Sequence, residues 1–228
     1  MIDVFWNEES DEQERFFVPE NVLDVVFAVR DCPCLPAEHA YALSQALHQA
    51  LPWMDEEERV GVHPIYGAES GNGWQRPEDP DAPIYLSRRQ KMILRVPQER
   101  VEDVKQLSGQ TLEIDSYSLT VGDEAKTRLL SDLPTLFARN VATEPGLNED
   151  EFLARVAEEL REMDIQVKKM MASIEREIRT PQGPVHTRGL MLADLMPEDS
   201  VRLQEEGLGP HRKLGCGLFV PQKGIKAV

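Results

Sequence analysis

Short β-branched runs and helix-like segments follow one another along this chain in an order that occurs twice, and few folds accommodate such an order. In the first half, strands are predicted at 22–30, 60–66 and 84–96 from their β-branched composition and alternation. A helix that Pro36 opens and Pro52 closes separates the first two strands. A helix at 97–107 and a strand pair near 111–121 complete the first pass.

The second half repeats the order without obvious sequence identity. A strand is predicted at 135–143, and Asn148 with Glu151 forms a capping box that opens the following helix. Further strands are predicted at 165–178, 185–195 and 218–221, with a short helix from Pro197 to Gly207 before the last of them. Strand, helix, two strands, helix and strand is the order of a ferredoxin-like unit. We therefore predict an α+β fold of two tandem ferredoxin-like units at 22–124 and 125–228; a single merged sheet is the alternative.

Charge is distributed unevenly along the 228 residues. The net charge is −16 at pH 7, made up of −14 over 1–83, −5 over 84–164 and +3 over 165–228. Residues 1–21 are predicted to form an acidic N-terminal arm. Phosphate binding normally needs a basic footprint, so RNA is compatible with this chain only if the cations cluster locally. The acidic first part could equally face a basic partner subunit.

Several protein classes are excluded or made improbable by composition. No apolar run approaches the length of a membrane-spanning helix, and the N-terminus lacks the basic start and long apolar run of a secretory signal. The expected location is therefore cytoplasmic, with no membrane partner. Three cysteines argue against a disulfide framework, and the pair Cys32 and Cys34 has only Cys216 to join it. We expect no metal site and no cofactor.

A glycine-rich loop near the C-terminus is the most distinctive segment. Two Gly-x-Gly pairs flank a five-residue insert that carries His211, Arg212 and Lys213, between a helix-like and a strand-like segment. Glycine allows a positive φ, and successive main-chain N–H groups in such a loop can form an anion site, for which phosphate is the obvious ligand. A tight turn with surface charges is the other interpretation. The glycines of this loop are Gly207, Gly209, Gly215 and Gly217.

This loop, running into an apolar final strand, resembles the glycine-rich loop of the repeat-associated mysterious protein superfamily. Within that superfamily the chain is most similar to the CRISPR repeat-RNA endoribonucleases that release guide RNAs, particularly the myxan subtype. The similarity covers 22–67 and, more loosely, 22–223. Around His48, the run Leu47-His48-Gln49-Ala50-Leu51 through Val62 is similar to the subtype I-F enzymes.

The resemblance implies a catalytic histidine in the first helix or just after it. His48 is the preferred candidate, with Ser44 and Tyr41 on its own helix stripe, four and seven residues earlier. His39 is the alternative, but nine residues of helix place it on the opposite side and roughly 13 Å away. Histidine suits proton transfer near neutral pH. The sequence leaves open whether His48 acts as base or acid.

RNA binding would fall to cations on the predicted strands and in the glycine-rich loop. Each could be a solvated surface charge, but together they form a local basic excess in an acidic chain. The aromatic motifs of an ordinary RNA-recognition domain are absent, which favours recognition of a repeat hairpin by shape and phosphates. The candidates are Arg88, Arg89, Lys91, Arg95, Lys168, Lys169, Arg176, Arg179, Arg188, Arg212 and Lys213.

The resemblance thus implies a metal-independent endoribonuclease that cleaves CRISPR precursor transcripts within the repeat. Attack by a ribose 2′-OH would give a 2′,3′-cyclic phosphate and a 5′-OH, and the enzyme would stay with its product in a multisubunit effector. Two alternatives remain: a noncatalytic guide-RNA-binding subunit of such an effector, and an acidic protein-interaction module that uses the same fold.

Overall fold

The computed structural model describes residues 16–67, 77 and 79–222, and both halves of this part of the chain contain sheets and helices. The elements of the first half are β1 (Val22–Arg30), β2 (Cys34–Pro36), α1 (Ala40–Ala50), β3 (Gly61–His63), β4 (Pro83–Tyr85), β5 (Lys91–Pro97), α2 (Val101–Lys105), β6 (Thr111–Ile114) and β7 (Tyr117–Arg128). Those of the second half are β8 (Leu136–Ala142), α3 (Glu149–Glu162), β9 (Lys169–Ile178), β10 (Val185–Ala193), α4 (Pro197–Glu206) and β11 (Val220–Pro221). The predicted α+β class is confirmed.

Each half has its own antiparallel sheet. The first sheet has the strand order β3-β5-β1-β7-β6, and the second has the order β11-β8-β10-β9. A small two-stranded sheet pairs β2 with β4. In both larger sheets the first strand of the half is internal, so it is hydrogen-bonded on both sides.

The helices cover one face of each sheet. Alternate residues of β1, including Val25 and Phe27, are buried in one cluster with Leu43 and Leu47 of α1. This spacing of apolar residues by four positions explains why the segment is helical and which side it buries. In the second half, Phe152, Val156 and Leu160 of α3 pack in a separate core with the leucines of β8 and β10.

The capping box predicted for α3 is confirmed. The Asn148 side chain accepts a hydrogen bond from the Glu151 backbone N–H at 3.0 Å, and the Glu151 carboxylate accepts one from the Asn148 N–H at 3.0 Å. Two N–H groups that the helix itself cannot satisfy are thereby paired.

Two predictions about the first half are wrong. The single strand expected over 84–96 is two strands, because the Ser87 hydroxyl accepts from the Arg89 N–H and the Ser87 carbonyl accepts from the Gln90 N–H, which closes a turn between β4 and β5. The first helix begins at Ala40 and not at Pro36, because Pro36 lies in β2 opposite Pro83.

The boundary predicted between 124 and 125 lies inside a strand. β7 continues to Arg128, which is paired with Asp24 of β1, so residues 125–128 belong to the first sheet. The acidic arm lies outside the described residues up to position 15. Phe16 and Val18, which are described, pack against a small cluster of Val22, Leu130 and Val201.

Two buried arginines connect the halves, and we call their contact region the seam. Arg95 of β5 is 1% exposed; its guanidinium forms ion pairs with Asp24 at 2.8 and 3.2 Å and donates to the carbonyls of Gln204 at 3.2 Å and Phe219 at 2.8 Å. Arg212 donates in the opposite direction, to the Arg59 carbonyl at 3.2 Å, and within its own half to the Glu205 carbonyl at 3.0 Å. Each half therefore satisfies carbonyl groups of the other.

The seam also shifts the ionisation of its members. Burial acts to raise the pKa of Asp24, but the Arg95 charge and the neighbouring His63 more than offset it and hold that pKa well below its usual range. Burial lowers the pKa of His63, which the Asp24 carboxylate 3.8 Å away only partly offsets. Burial, together with the charges of Arg95 and Arg59, lowers the pKa of Arg212 to about 10. Breaking one of these pairs would leave a buried charge without its partner.

Candidate active site

His48 lies in the last turn of α1 with its ring held from one side. Its Nδ1 is 2.6 Å from the Ser44 carbonyl oxygen, which can only accept, so Nδ1 carries a proton and donates it. The Ser44 hydroxyl is 3.4 Å from the same nitrogen. The side chain is 17% exposed, and Nε2 lies 3.4 Å from a carboxylate oxygen of Asp55. Nε2 is therefore the ring atom available for proton transfer.

Asp55, which the sequence analysis did not single out, lies beside His48. α1 ends at Ala50 with Leu51 as its C-cap, and Pro52 begins a 3-10 turn, Pro52–Asp55, that folds the chain back toward the helix. The Met54 side chain is fully buried, and the Met54 N–H donates to the Leu51 carbonyl at 3.0 Å, which fixes the turn. The only sequence signal was an acidic residue shortly after a proline that ends a helix.

The glycine-rich loop reaches the same place from the second half. A 3-10 turn, Arg212–Leu214, forms the middle of the loop and contacts both α1 and β3. Lys213 Nζ lies 3.5 Å from the Asp55 carbonyl oxygen, although the two residues are 158 positions apart. The structure thus brings a predicted RNA-binding lysine beside the residue that faces His48.

The other two residues predicted around His48 have different positions. Ser44 is 2% exposed, so its hydroxyl packs against the ring and is not presented to solvent. Tyr41 is half-buried, seven residues before His48, which places it roughly 10 Å away along the helix. Ser44 is positioned to orient the imidazole, whereas Tyr41 is too far along the helix to touch it through a hydrogen bond.

His39, the alternative catalyst, is enclosed at the other end of α1. It is 3% exposed, its Nδ1 donates to the Pro36 carbonyl at 2.8 Å, and its Nε2 accepts from the Ile65 N–H at 3.0 Å. Both ring nitrogens are used by the backbone, and the ring ties β2, α1 and the chain after β3 together. His39 has the geometry of a structural histidine.

The amides of the glycine-rich loop are bonded to backbone carbonyls of the loop itself and of α4 and β8. All four of its glycines have positive φ, from 66° to 86°. The Gly207 N–H donates to Leu203, the Gly215 N–H to Arg212 and the Gly217 N–H to Asn140, at 2.7 to 3.0 Å. These three amides are therefore used within the protein, and what the loop presents at its surface is the insert, above all Lys213 and the exposed His211.

Most of the predicted RNA-binding cations are exposed. They lie in the turn before β5 and at its first residue, around the start of β9, and near or just after the end of β9. Lys169 forms an exposed ion pair with Asp194 at 2.9 Å, and Arg179 with Asp81 at 3.5 Å. Exposed pairs of this kind are weak and can exchange for a phosphate. The exposed cations are Arg88, Arg89, Lys91, Lys168, Lys169, Arg176 and Arg179.

Three predicted cations are not on an accessible surface, which corrects their assignment. Arg95 and Arg212 are buried in the seam, where backbone carbonyls and Asp24 occupy their guanidinium groups. The Arg188 side chain is 12% exposed and donates to the carbonyls of Leu147 at 2.7 Å and Ser173 at 3.1 Å. Alternation along β5 places Arg95 on the strand face opposite Met92, Leu94 and Val96, but alternation alone does not show that the second half covers the Arg95 face.

Within the described ranges, no three or more His, Cys, Asp or Glu side chains are grouped so that they could hold a metal ion. The helices of the same ranges include none that is long and apolar enough to cross a membrane.

Comparisons with known proteins bear on the whole fold and on this site. The Cas6 CRISPR family model matches residues 23–224. This chain belongs to the Cas6 family. It is 32% identical over 199 residues to the CRISPR-associated endonuclease Cas6 of Myxococcus xanthus strain DK1622, across 87% of this chain and 81% of that protein. The resemblance drawn from the glycine-rich loop and from 22–67 is confirmed at the level of the family.

Solved structures with low sequence identity share the fold of this Cas6-family chain. A CRISPR-associated protein Cas6 superposes with a TM-score of 0.59 at 11% identity, covering 89% of this chain and 99% of that one. A structure described as a repeat-associated mysterious protein binding different RNA substrates gives a TM-score of 0.56 at 15% identity, covering 87% and 98%. The similarity extends over both halves, so the arrangement of the two sheets is that of the family's fold.

Proposed function

We propose that this chain is a metal-independent endoribonuclease that cleaves CRISPR precursor transcripts within the repeat and releases guide RNAs. The observation that carries this proposal is the position of His48, whose Nε2 lies 3.4 Å from the exposed carboxylate of Asp55, the residue whose carbonyl oxygen is 3.5 Å from Lys213 Nζ of the glycine-rich loop. Family membership supports it, since the Myxococcus xanthus relative is named a CRISPR-associated endonuclease. The alternatives, a noncatalytic RNA-binding subunit and a protein-interaction module, give no reason for a histidine held in this way.

The chemistry is transesterification with the RNA's own nucleophile. A ribose 2′-OH attacks the adjacent phosphorus, which gives a 2′,3′-cyclic phosphate on one product and a 5′-OH on the other. His48 transfers a proton, and Lys213 supplies positive charge where the phosphorane develops negative charge. Side chains of this chain can perform both tasks, so the reaction requires no metal ion.

RNA is held by its shape and its phosphates. The net charge of −16 repels RNA phosphates overall, so RNA binding needs a local basic surface. The exposed cations before β5 and on β9 supply it. The substrate is the hairpin of a CRISPR repeat, and the product stays bound while other effector subunits assemble on it. The acidic first part of the chain is a surface for one of those subunits.

The finer architecture suits this role. When the small β2–β4 sheet and the edge strand β6 are set aside, each half has four strands, and their spatial order by chain position is fourth-first-third-second: β7-β1-β5-β3 and β11-β8-β10-β9. This order supports the interpretation of two tandem ferredoxin-like units, with β6 added at one edge of the first. The reaction site then lies where α1 of the first unit meets the glycine-rich loop of the second.

An end-group assay tests the proposed function. A labelled repeat RNA is incubated with the wild-type protein in EDTA, and the upstream product is expected to carry a 2′,3′-cyclic phosphate, with 5′-OH on the downstream product. A 2′-deoxy substitution at the scissile nucleotide is expected to abolish cleavage, because it removes the nucleophile. Binding of the repeat without cleavage would favour the noncatalytic subunit, and absence of binding would favour the interaction module.

A further inference from the structure

A cavity of about 330 Å³ lies where the loop after β8, the start of β10 and the glycine-rich loop meet, and we call it the Thr143 cavity. Its lining includes Thr143, Arg155 of α3, His186 of β10 and His211 of the glycine-rich loop. None of these four residues belongs to the site around His48. Their side chains share one property, which is that each can donate a hydrogen bond from an N–H or O–H group.

The Thr143 hydroxyl is buried and has no hydrogen-bond partner among the described residues. The Thr143 backbone N–H donates to the His186 carbonyl at 2.8 Å, so the residue is fixed at the end of the second sheet. Buried polar groups in folded proteins are almost always paired, and an exception calls for an explanation. A ligand that accepts hydrogen bonds explains a hydroxyl held in this position.

Arg155 and His186 are each anchored through only some of their polar atoms. Arg155 Nη2 donates to the Ala142 carbonyl at 2.6 Å and its Nε lies 3.1 Å from a Glu159 carboxylate oxygen, which leaves other N–H groups of the guanidinium for a ligand. His186 Nδ1 donates to the Glu175 carboxylate at 2.9 Å, so Nε2 is the nitrogen that remains. Beside an anion, the ring can take a second proton and donate from Nε2 as well.

His211 reaches the same cavity from the glycine-rich loop. It is exposed and has a φ of +69°, a backbone conformation that few residues other than glycine adopt. Its carbonyl accepts from the Leu214 N–H at 2.9 Å and from the Cys216 N–H at 3.2 Å, which holds this conformation. Strain of this kind often marks a functional position. Lys213 follows at most about 7 Å further along the backbone, so an RNA strand that contacts Lys213 also passes the cavity.

We propose that the Thr143 cavity binds a phosphate group of the repeat RNA, with Thr143 and Arg155 donating to its oxygens and the rings of His186 and His211 beside them. This rests on the proposed function and adds to it a phosphate contact besides the one at Lys213. Phosphate fits the lining because it is an anion whose oxygens accept several charge-assisted hydrogen bonds at once. A metal cation does not, since the described residues include no metal-binding group of His, Cys, Asp or Glu side chains.

Thr143→Val tests the cavity with the smallest change, because it removes the hydroxyl and keeps the branched shape. Affinity for a repeat RNA that carries 2′-deoxyribose at the scissile nucleotide is expected to fall about two- to tenfold, the range of one hydrogen bond. The free energy of unfolding is expected to stay equal or to rise, because a buried hydroxyl without a partner is lost. A merely structural threonine would give the reverse. Thr111→Val, exposed on β6, is the matched control and should bind like wild type.

Two arginines of α3 provide a second matched pair. Arg155→Gln should make the slope of log K against log salt shallower by about 0.7 to 0.9, because one phosphate contact is lost. Arg161→Gln removes the same charge from an exposed position six residues later and should leave the slope close to that of wild type. Glu144→Gln should bind more tightly than wild type, because it removes an exposed carboxylate from the cavity lining. His211→Gly keeps the positive φ and should weaken binding.

The outcomes separate this inference from the function beneath it. Wild-type protein that binds no repeat RNA would overturn the proposed function and the inference together. Binding by wild type, with the affinity of Thr143→Val and the salt slope of Arg155→Gln both unchanged, would overturn the cavity alone, whether or not the RNA is cleaved.

NMR signals of the His186 and His211 rings identify the source of the phosphate. Signals that shift on addition of the repeat RNA support the proposal. Signals that shift with inorganic phosphate but not with the RNA would mean that the cavity takes a free phosphate, which would overturn the assignment to RNA.

Discussion

The seam and the C-terminal end of α1 both contain basic side chains, but those of the seam are buried and those at the helix end are partly exposed. At the seam, Arg95 and Arg212 are buried and their guanidinium groups are bonded to carbonyl oxygens of the other half. At the C-terminal end of α1, His48 Nε2 lies 3.4 Å from the exposed carboxylate of Asp55, and the half-buried Lys213 has a long contact, 3.5 Å, to the Asp55 carbonyl. The cations that stabilise the structure have most of their donors bonded to protein oxygens, although Nε of Arg212 has no partner among the described residues. Residue type alone does not distinguish the two.

The largest expected effect comes from replacing by alanine, one at a time, His48 of α1 and His39 at the N-cap of α1. His48→Ala should reduce cleavage of a repeat RNA by about 10²- to 10⁴-fold with near-normal binding, because it removes a proton-transfer group and alanine favours helix. His39→Ala should instead lower the free energy of unfolding by about 1–3 kcal/mol, because the Pro36 carbonyl and the Ile65 N–H lose their buried partner. Single-turnover kinetics and denaturant unfolding measure the two effects.

The assignment of His48 as the catalytic histidine and His39 as a structural one would be wrong if the two variants showed the reverse effects. Normal cleavage by His48→Ala together with an inactive, stably folded His39→Ala would move the site to the closed end of α1. Normal cleavage by both variants would exclude the catalytic model, since the remaining site residues cannot replace a histidine in proton transfer near neutral pH.

The glycine-rich loop links the two regions, and its glycines offer a second, smaller test. A Cβ at Gly217, where φ is +66°, would lie 2.1 Å from the Leu208 carbonyl oxygen, whereas a Cβ at Gly209, with φ of +69°, would meet no described atom within 4 Å. Gly217→Val should therefore cost about 2–4 kcal/mol from strain plus overpacking, and Gly209→Val about 1–2 kcal/mol from strain alone. Thermal unfolding measures both.

RNA binding should follow the same order. Displacing the loop in Gly217→Val moves Lys213 away from Asp55, so RNA binding should weaken more than in Gly209→Val. Equal stability and equal binding in wild type and both variants would show that the loop has no part in holding the site together.

Local pattern was enough to predict most of the elements and the α+β class. The capping box at Asn148 and the helix that starts at Pro197 depend on residues within one turn, and both are confirmed. The continuous strand at 84–96 was wrong because a serine hydroxyl closes a turn that a run of strand-forming residues does not reveal. Local pattern therefore predicts elements better than it predicts where they are interrupted.

Long-range contacts determine which cations are buried and which residues surround His48, and the local sequence pattern does not reveal either. The alternation in β5 put Arg95 on the polar face, yet α4 and the segment leading to β11 cover that face. Lys213 is brought to Asp55 across 158 residues, and no local spacing encodes such a contact. The choice of His48 itself stays a prediction, now with a geometry that can be tested.

The smallest expected effect is on the salt dependence of RNA binding. This measurement separates the exposed cations from the buried arginines of the seam, because only the exposed cations should change it. Combined neutralisation of Arg89, Lys91, Lys168 and Lys169 to glutamine should weaken RNA binding and make the slope of log K against log salt shallower by about 2 to 3, because each lost phosphate contact removes roughly 0.7 to 0.9. Lys169 contributes less than the others because it already pairs with Asp194. Filter binding at several salt concentrations measures the slope.

Two controls make the salt test specific. The first removes four other charges and leaves the proposed surface intact, so its slope should stay closer to that of wild type; it replaces Arg30, Arg59, Lys105 and Arg161 by glutamine. The second, Arg95→Met, should destabilise the fold because Asp24 loses its principal buried partner, yet leave the slope of the remaining folded protein unchanged. A slope that falls equally in both four-residue variants would mean that RNA responds to net charge and not to this surface, whereas a slope that falls in Arg95→Met would mean that the seam opens when RNA binds.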